Sequence, residues 1–165
     1  MIYVYLTKTD HPWKDLCHKI LAHHNINPQN LYKSASGKPL IKNQQGFISW
    51  AHSKAHVIIT FSKTHAVGAD CEDIRPINFK SIQKRYFRDT GAIDSTNDFF
   101  QAWTKKEALC KLKGLSIWRT MGHSPQGFTT HKITPDCVFC IASNQDTPII
   151  WAGHYEIEKW LQKNL

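Results

Sequence analysis

Val67-Gly68-Ala69-Asp70-Cys71-Glu72 alternates apolar residues with others, and Thr104-Lys105-Lys106-Glu107-Ala108-Leu109-Cys110-Lys111 follows it later in the chain. Alternation of period two marks a strand, in which residues two apart share a face. Asp70 and Glu72 then project together, while Val67, Ala69 and Cys71 face a core. Between Phe99 and Lys113, the residues Phe99, Phe100, Trp103, Ala108, Leu109 and Leu112 predict a helix with one apolar side. Glu107 and Lys111, four apart, share a face of that helix. A helix laid beside the strand would bring three carboxylates and one ammonium together.

Carboxylates held that close repel, and one stays protonated unless a cation lies between them. Oxygen ligands without histidine or thiolate favour Mg²⁺ or Mn²⁺ over Zn²⁺. Mg²⁺ usually takes one or two protein carboxylates and fills its octahedron with water and substrate phosphate. Lys111 would suit an oxygen of that phosphate. Either half alone also fits an ordinary acidic surface strand or a helical Glu–Lys pair. Both halves together make a sharper pattern.

Set in order with its neighbours, the pattern resembles the 4′-phosphopantetheinyl transferases of the surfactin-synthetase-activating type. Their signature is a (V/I)-G-x-D-x-E strand followed by (F/W)-(S/T)-x-K-E-(A/S)-x-x-K. Here these stand as Val67 to Glu72 and Trp103 to Lys111. Ser36-Gly37-Lys38-Pro39 is similar to the family's G-K-P loop, and Ile48 to Ser53 to its N-x-S-H-S strand. Lys84-Arg85-Tyr86-Phe87 is similar to its R-F-F run, and Gly114-Leu115-Ser116 to its G-L-S. The resemblance covers roughly residues 35–120.

The resemblance implies a reaction: transfer of the phosphopantetheine arm of coenzyme A to a serine of an apo acyl or peptidyl carrier protein, releasing adenosine 3′,5′-bisphosphate. Phosphoryl transfer rests on positioning and charge neutralisation. By resemblance, Asp70, Glu72 and Glu107 hold Mg²⁺, and Glu107 also helps deprotonate the incoming serine. Lys111 assists the leaving phosphate, and Lys106 adds positive charge. Gly37, Lys38, Pro39 and His52 contact the co-substrate coenzyme A. Ala51 replaces a serine common in the family, a loss of about 1 kcal/mol of hydrogen bonding. Thr90-Gly91 stand where a glutamate is common. The chain ahead of the G-K-P loop is short, with Lys14, His18 and Lys19 replacing an arginine-bearing helix. A degenerate coenzyme-A-binding regulator and a basic nucleic-acid module are the alternatives.

The rest of the chain is compatible with that reading. A length of 165 residues with 41% hydrophobic suits one domain or two tightly joined halves. Local pattern predicts a strand at 2–6, a helix at 12–24, a hairpin of 57–61 with 66–72, and a helix near 79–88. After a polar loop at 89–97 and the long helix come strands at 137–142 and 149–154, then an amphipathic tail at 155–163. These elements give a mixed α+β chain. The resemblance adds a pseudo-dimer of two similar halves, 1–65 and 66–165, each a small antiparallel sheet packed on a long helix.

Residues 2–6 are too short to cross a membrane, and no charged-then-apolar signal segment precedes a cleavage site. A cytoplasmic monomer without a membrane partner is expected. Five cysteines suit a reducing compartment. The net charge of +8 is scattered and no nucleic-acid motif accompanies it, so nucleic acid is not the expected partner. Carrier proteins of this family are acidic, and a basic rim would steer one in. Lys84, Arg85 and Arg88 are candidate docking residues. Cys137 and Cys140 form a lone C-x-x-C whose cysteines point to opposite faces of a strand, and neither they nor His52 and His56 are expected to bind metal. His23, His24, His123 and His131 are expected to be exposed.

Overall fold

The computed structural model describes residues 1–10, 12–87, 93–120 and 125–152. Strand β1 (Ile2–Lys8) is rich in β-branched and aromatic residues. Helix α1 (Trp13–His23) buries Leu16, Cys17, Ile20 and Leu21, an i, i+1, i+4, i+5 stripe. A small hairpin follows, β2 (Leu31–Lys33) with β3 (Pro39–Ile41). The turn between them is closed by the Gly37 amide on the Ser34 carbonyl at 2.9 Å, with Gly37 at φ +81°. Strands β4 (Phe47–His52) and β5 (His56–Ser62) join β1 in the first sheet, in the order β4-β5-β1.

The second sheet contains β6 (Val67–Asp73), β7 (Phe128–Ile133) and β8 (Cys137–Ser143), ordered β6-β8-β7 and antiparallel throughout. Between β6 and β7 lie α2 (Lys80–Tyr86) and the long α3 (Thr96–Lys113). A capping box of Ser95 and Asp98 starts α3, and Gly114, at φ +68°, ends it. Strand β9 (Ile149–Ala152) returns to the first sheet and runs parallel to β1.

Alternation along the strands sets the layers. Leu16, Ile20, Leu21, Val57, Ile59 and Phe61 fill the space between α1 and the first sheet. Ile2, Val4 and Ile58 from the first sheet meet Val67, Ala69, Cys71, Phe139 and Ile141 from the second. Ala108, Leu109 and Leu112 of α3 cover Cys140 and Ala142 on the second sheet's far side. Helix, sheet, sheet and helix thus form a mixed α+β stack, and β6 lies with one face on each of two cores. No helix among the described residues is long and apolar enough to cross a membrane.

One expected pairing is corrected. Segment 57–61 does not form a hairpin with 66–72: β5 is buried along its whole length and takes β4 and β1 as neighbours, while β6 pairs with β8. Apolar residues on both faces make β5 a central strand, and the Ser62–His65 turn carries the chain to the other sheet. Strand β9 joins the first sheet beside β1. Strand β7 was not expected. Its half-exposed Phe-Thr-Thr-His-Lys-Ile run has no clear apolar face. The expected tail at 155–163 lies outside the described residues.

His24 is also corrected, from exposed to buried. Its ring stacks on Phe61 at 4.2 Å between centroids, and its Nε2 meets the Tyr5 hydroxyl at 3.1 Å. Burial, then the charges of His23 and Lys63, lower its pKa to about 4. The unfolded chain binds this proton more readily, so the stability this site contributes is complete above about pH 6.5 and is lost as pH falls towards 4. Replacing His24 by Phe is expected to flatten the stability–pH profile over that window, measured by urea unfolding.

Candidate metal and phosphate site

Strand β6 and helix α3 approach so closely at Gly68 that a side chain has no room. A Cβ there would lie 2.0 Å from the Ala108 carbonyl oxygen and 2.6 Å from the Leu112 backbone nitrogen. The bare glycine lets the helix lie directly on the strand. Two residues on, the same face of β6 presents Asp70 to the next turns of the helix.

Asp70 is buried, and its Oδ1 accepts a 2.7 Å bond from the Lys111 Nζ. That ammonium is also 3.9 Å from the Glu107 Oε2. The second Asp70 oxygen, Oδ2, is buried without a hydrogen-bond partner. Burial, with the neighbouring charges of Glu107 and Glu72 and against the pull of Lys111, pushes Asp70 up to about 8. Burial also raises Glu107. Burial works against the charge of Lys111, but Asp70 and Glu107 outweigh it and hold the amine above the usual lysine range. Glu72 is half-buried and meets Arg75 at 3.2 Å, while Arg75 lies over the Phe100 ring at 5.2 Å.

Lys111 links this acidic cluster to a cavity of about 280 Å³. The cavity is walled by Ser36, Gly37, Lys38 and Pro39 of the β2–β3 turn, by Ser49 and Trp50 of β4, and by Lys111, Gly114 and Leu115. The Lys38 ammonium donates to the Leu112 carbonyl at 2.6 Å, fastening the turn to the C-terminal end of α3. A cation is favoured at that end of a helix. Burial and the nearby Lys113 nonetheless depress the pKa of Lys38, and an anion in the cavity would offset both. Across the interface, the Ala69 amide donates to the Ser49 hydroxyl at 3.1 Å, tying β4 to β6 beside Asp70.

Asp70, Glu107 and Lys111 are thus together, with Glu72 close by, and Gly37, Lys38 and Pro39 share a cavity with Lys111. Two expected residues are not brought there. Lys106 is buried elsewhere: its Nζ donates to the Tyr86 carbonyl at 2.5 Å and lies 5.4 Å from the Phe87 ring centre. One residue is about 100° of helix rotation, so Lys106 cannot share the face of Glu107 and Lys111. His52 is exposed, 5.5 Å from the Trp13 ring and outside the cavity wall, although Trp50, two residues before it, is part of that wall. Of the candidate docking residues, Arg88 lies outside the described residues, and Arg85 sits over the Tyr86 ring at 5.6 Å.

Neither a family model nor a curated protein matches the chain. The site's chemistry is therefore read from its own donors. A buried carboxylate oxygen without a partner, two further carboxylates and no imidazole or thiolate among them fit a hard divalent cation. The adjoining cavity, with Lys38 and Lys111 in its wall, fits a phosphorylated ligand. Ser36, Ser49, Trp50 and Leu115 were not expected in the wall. The alternation of β4 could have found Trp50, since it shares a face with His52.

Proposed function

We propose that the protein transfers the 4′-phosphopantetheine arm of coenzyme A to a serine of an apo acyl or peptidyl carrier protein, with Mg²⁺ or Mn²⁺. The observation that carries this reading is the convergence of Lys38 and Lys111, far apart in sequence, on one cavity beside Asp70 and Glu107. Matching strand order supports it too: β4-β5-β1 and β6-β8-β7 are each a strand, a helix and an antiparallel pair whose last strand joins the first. That repetition is the sign of a pseudo-dimer with its ligand cleft between halves.

Asp70, Glu107 and Glu72 would hold the cation, which supplies charge neutralisation at the pyrophosphate. An ammonium has three donors. Lys38 keeps one on Leu112 and has others for phosphate oxygens. Lys111 steadies the charge that develops on the leaving phosphate. Glu107, whose pKa is raised, is suited to accept the serine proton. The basic surface attracts an acidic carrier.

The test is mass spectrometry of apo carrier proteins, fatty-acid, polyketide and nonribosomal-peptide, mixed with coenzyme A, Mg²⁺ and the protein. Gain of the arm's mass on at least one carrier is expected; binding of coenzyme A with no gain on any would favour a regulator instead. Lys111→Met is expected to lower kcat by roughly a hundredfold while changing the KM for coenzyme A little. The same change frees Asp70, so Mn²⁺ binding without coenzyme A, followed by electron paramagnetic resonance, is expected to tighten. Full rate in that variant would remove Lys111 from the leaving-group role.

A further inference from the structure

On the face of β6 opposite Asp70, the seam between the two sheets holds a second group of side chains that the transfer reaction does not use. His56 of β5, Asp73 of β6 and Cys137 of β8 each offer one ligand atom, all within 4.8 Å of one another. We propose that His56, Asp73, Cys137 and the neighbouring Cys71 bind one zinc ion, which fastens the first sheet to the second.

The donors are the right kind: an imidazole, a carboxylate and two thiols form a borderline set that favours Zn²⁺ over Mg²⁺. Cys137 is fully buried and His56 is 7% exposed. Cys137 pairs directly with Asp73 in the β6–β8 register, so both project to the same side. Cys71, two residues before Asp73 on the same face of β6, has its thiol 3.7 Å from the His56 carbonyl oxygen, beside the group. Cys140 faces the α3 core and takes no part.

The surroundings orient these ligands as a metal site requires. Asp73 accepts from the Ser53 hydroxyl at 2.7 Å and from the Ala55 amide at 3.0 Å. His56 Nδ1 is 2.7 Å from the Asp73 Oδ1, while its Nε2 faces Lys8 at 2.6 Å and Asp136 at 3.3 Å. Without metal, Nε2 accepts from Lys8 and Nδ1 donates its proton to Asp73. With zinc on Nδ1, that proton moves to Nε2 and is donated to Asp136. Lys8 retains Asp136, already 3.7 Å away in the metal-free site, as a partner. Each thiol releases one proton to solvent as it becomes a ligand. Zinc, two thiolates, the Asp73 and Asp136 carboxylates and the Lys8 ammonium then leave one net negative charge, with Asp136 largely exposed to solvent.

Cobalt substitution and metal analysis of the full-length protein test the site. One zinc per chain is expected after purification from zinc-supplemented medium, and Co²⁺ is expected to give thiolate-to-cobalt charge-transfer absorption. Cys137→Ser and His56→Ala should lose that absorption, while Cys140→Ser and Asp70→Asn should keep it. Nitrogen-15 shifts of His56 in the wild type should report metal on Nδ1, a reading that stands if the seam variants fail to fold. No retained zinc and no charge-transfer band in the wild type would overturn the proposal. So would a band that survives Cys137→Ser or disappears with Asp70→Asn, since it would then arise at another site.

Discussion

Asp70→Asn is expected to abolish carrier modification while leaving the fold intact. Asparagine keeps an oxygen for the Lys111 bond, so the helix stays seated on the strand. It removes the one charge buried deeply enough to hold a cation against a pyrophosphate, and a loss of on the order of a thousandfold or more is expected. Stability should move the other way. The native carboxyl holds its proton up to about pH 8, well above its unfolded value of about 3.8. The native state therefore binds more protons between those limits, and charging Asp70 destabilises the wild type as pH rises through them. In chelated buffer, urea unfolding should show the variant gaining on the wild type from about pH 4 to pH 8. A variant that modifies carrier at full rate would exclude Asp70 as a metal ligand.

Gly68→Ala is expected to have the larger effect on the fold. The added methyl meets backbone atoms of α3 on both sides, and backbone cannot swing away as a flexible side chain can. Either the helix lifts from the strand or β6 bends, at a cost of about 3 kcal/mol or more. Lifting the helix also parts Asp70 from Lys111, so activity should fall with stability. Gly37→Ala is the contrasting case. Its Cβ would meet nothing within 4 Å, and only its positive φ costs, about 1 kcal/mol. Equal midpoints for the two variants in urea would remove the close-approach argument for Gly68.

Local pattern was enough to locate β1, α1, α2, α3 and β6, because each carries its own period. It could not choose partners for β5. A strand apolar on both faces declares that it is central, not which strands flank it. Strand β7 stayed hidden because solvent covers much of it and its threonines and histidine follow no apolar alternation. Helix α3 starts at Thr96, inside the stretch read as a polar loop, because the Ser95–Asp98 capping box begins it ahead of the apolar residues used to place the helix. For the site, the i, i+2 spacing put Asp70 with Glu72 and the i, i+4 spacing put Glu107 with Lys111; it is the seating of α3 on β6 that brings Asp70 to Lys111 and Glu107. The same helical arithmetic shows why Lys106, one residue before Glu107, turns into the aromatic cluster instead. The cluster around His56 was not legible. Its members come from three strands, and only the stacking of the sheets makes them neighbours.

Strand β9 gives the chain an unusual dependence on the order of its synthesis. Residues 2–8 leave the ribosome well before residues 149–152, so one side of that strand remains without hydrogen-bonding neighbours until the later segment has been made. A nascent fragment ending near residue 65 would carry an open sheet edge, and an apolar surface formed by Ile2, Val4 and Ile58 with nothing to cover it. Such a fragment is a target for chaperones, and the two sheets do not mature one after the other as separate pieces. Completion of the first sheet waits on a segment made after every strand of the second.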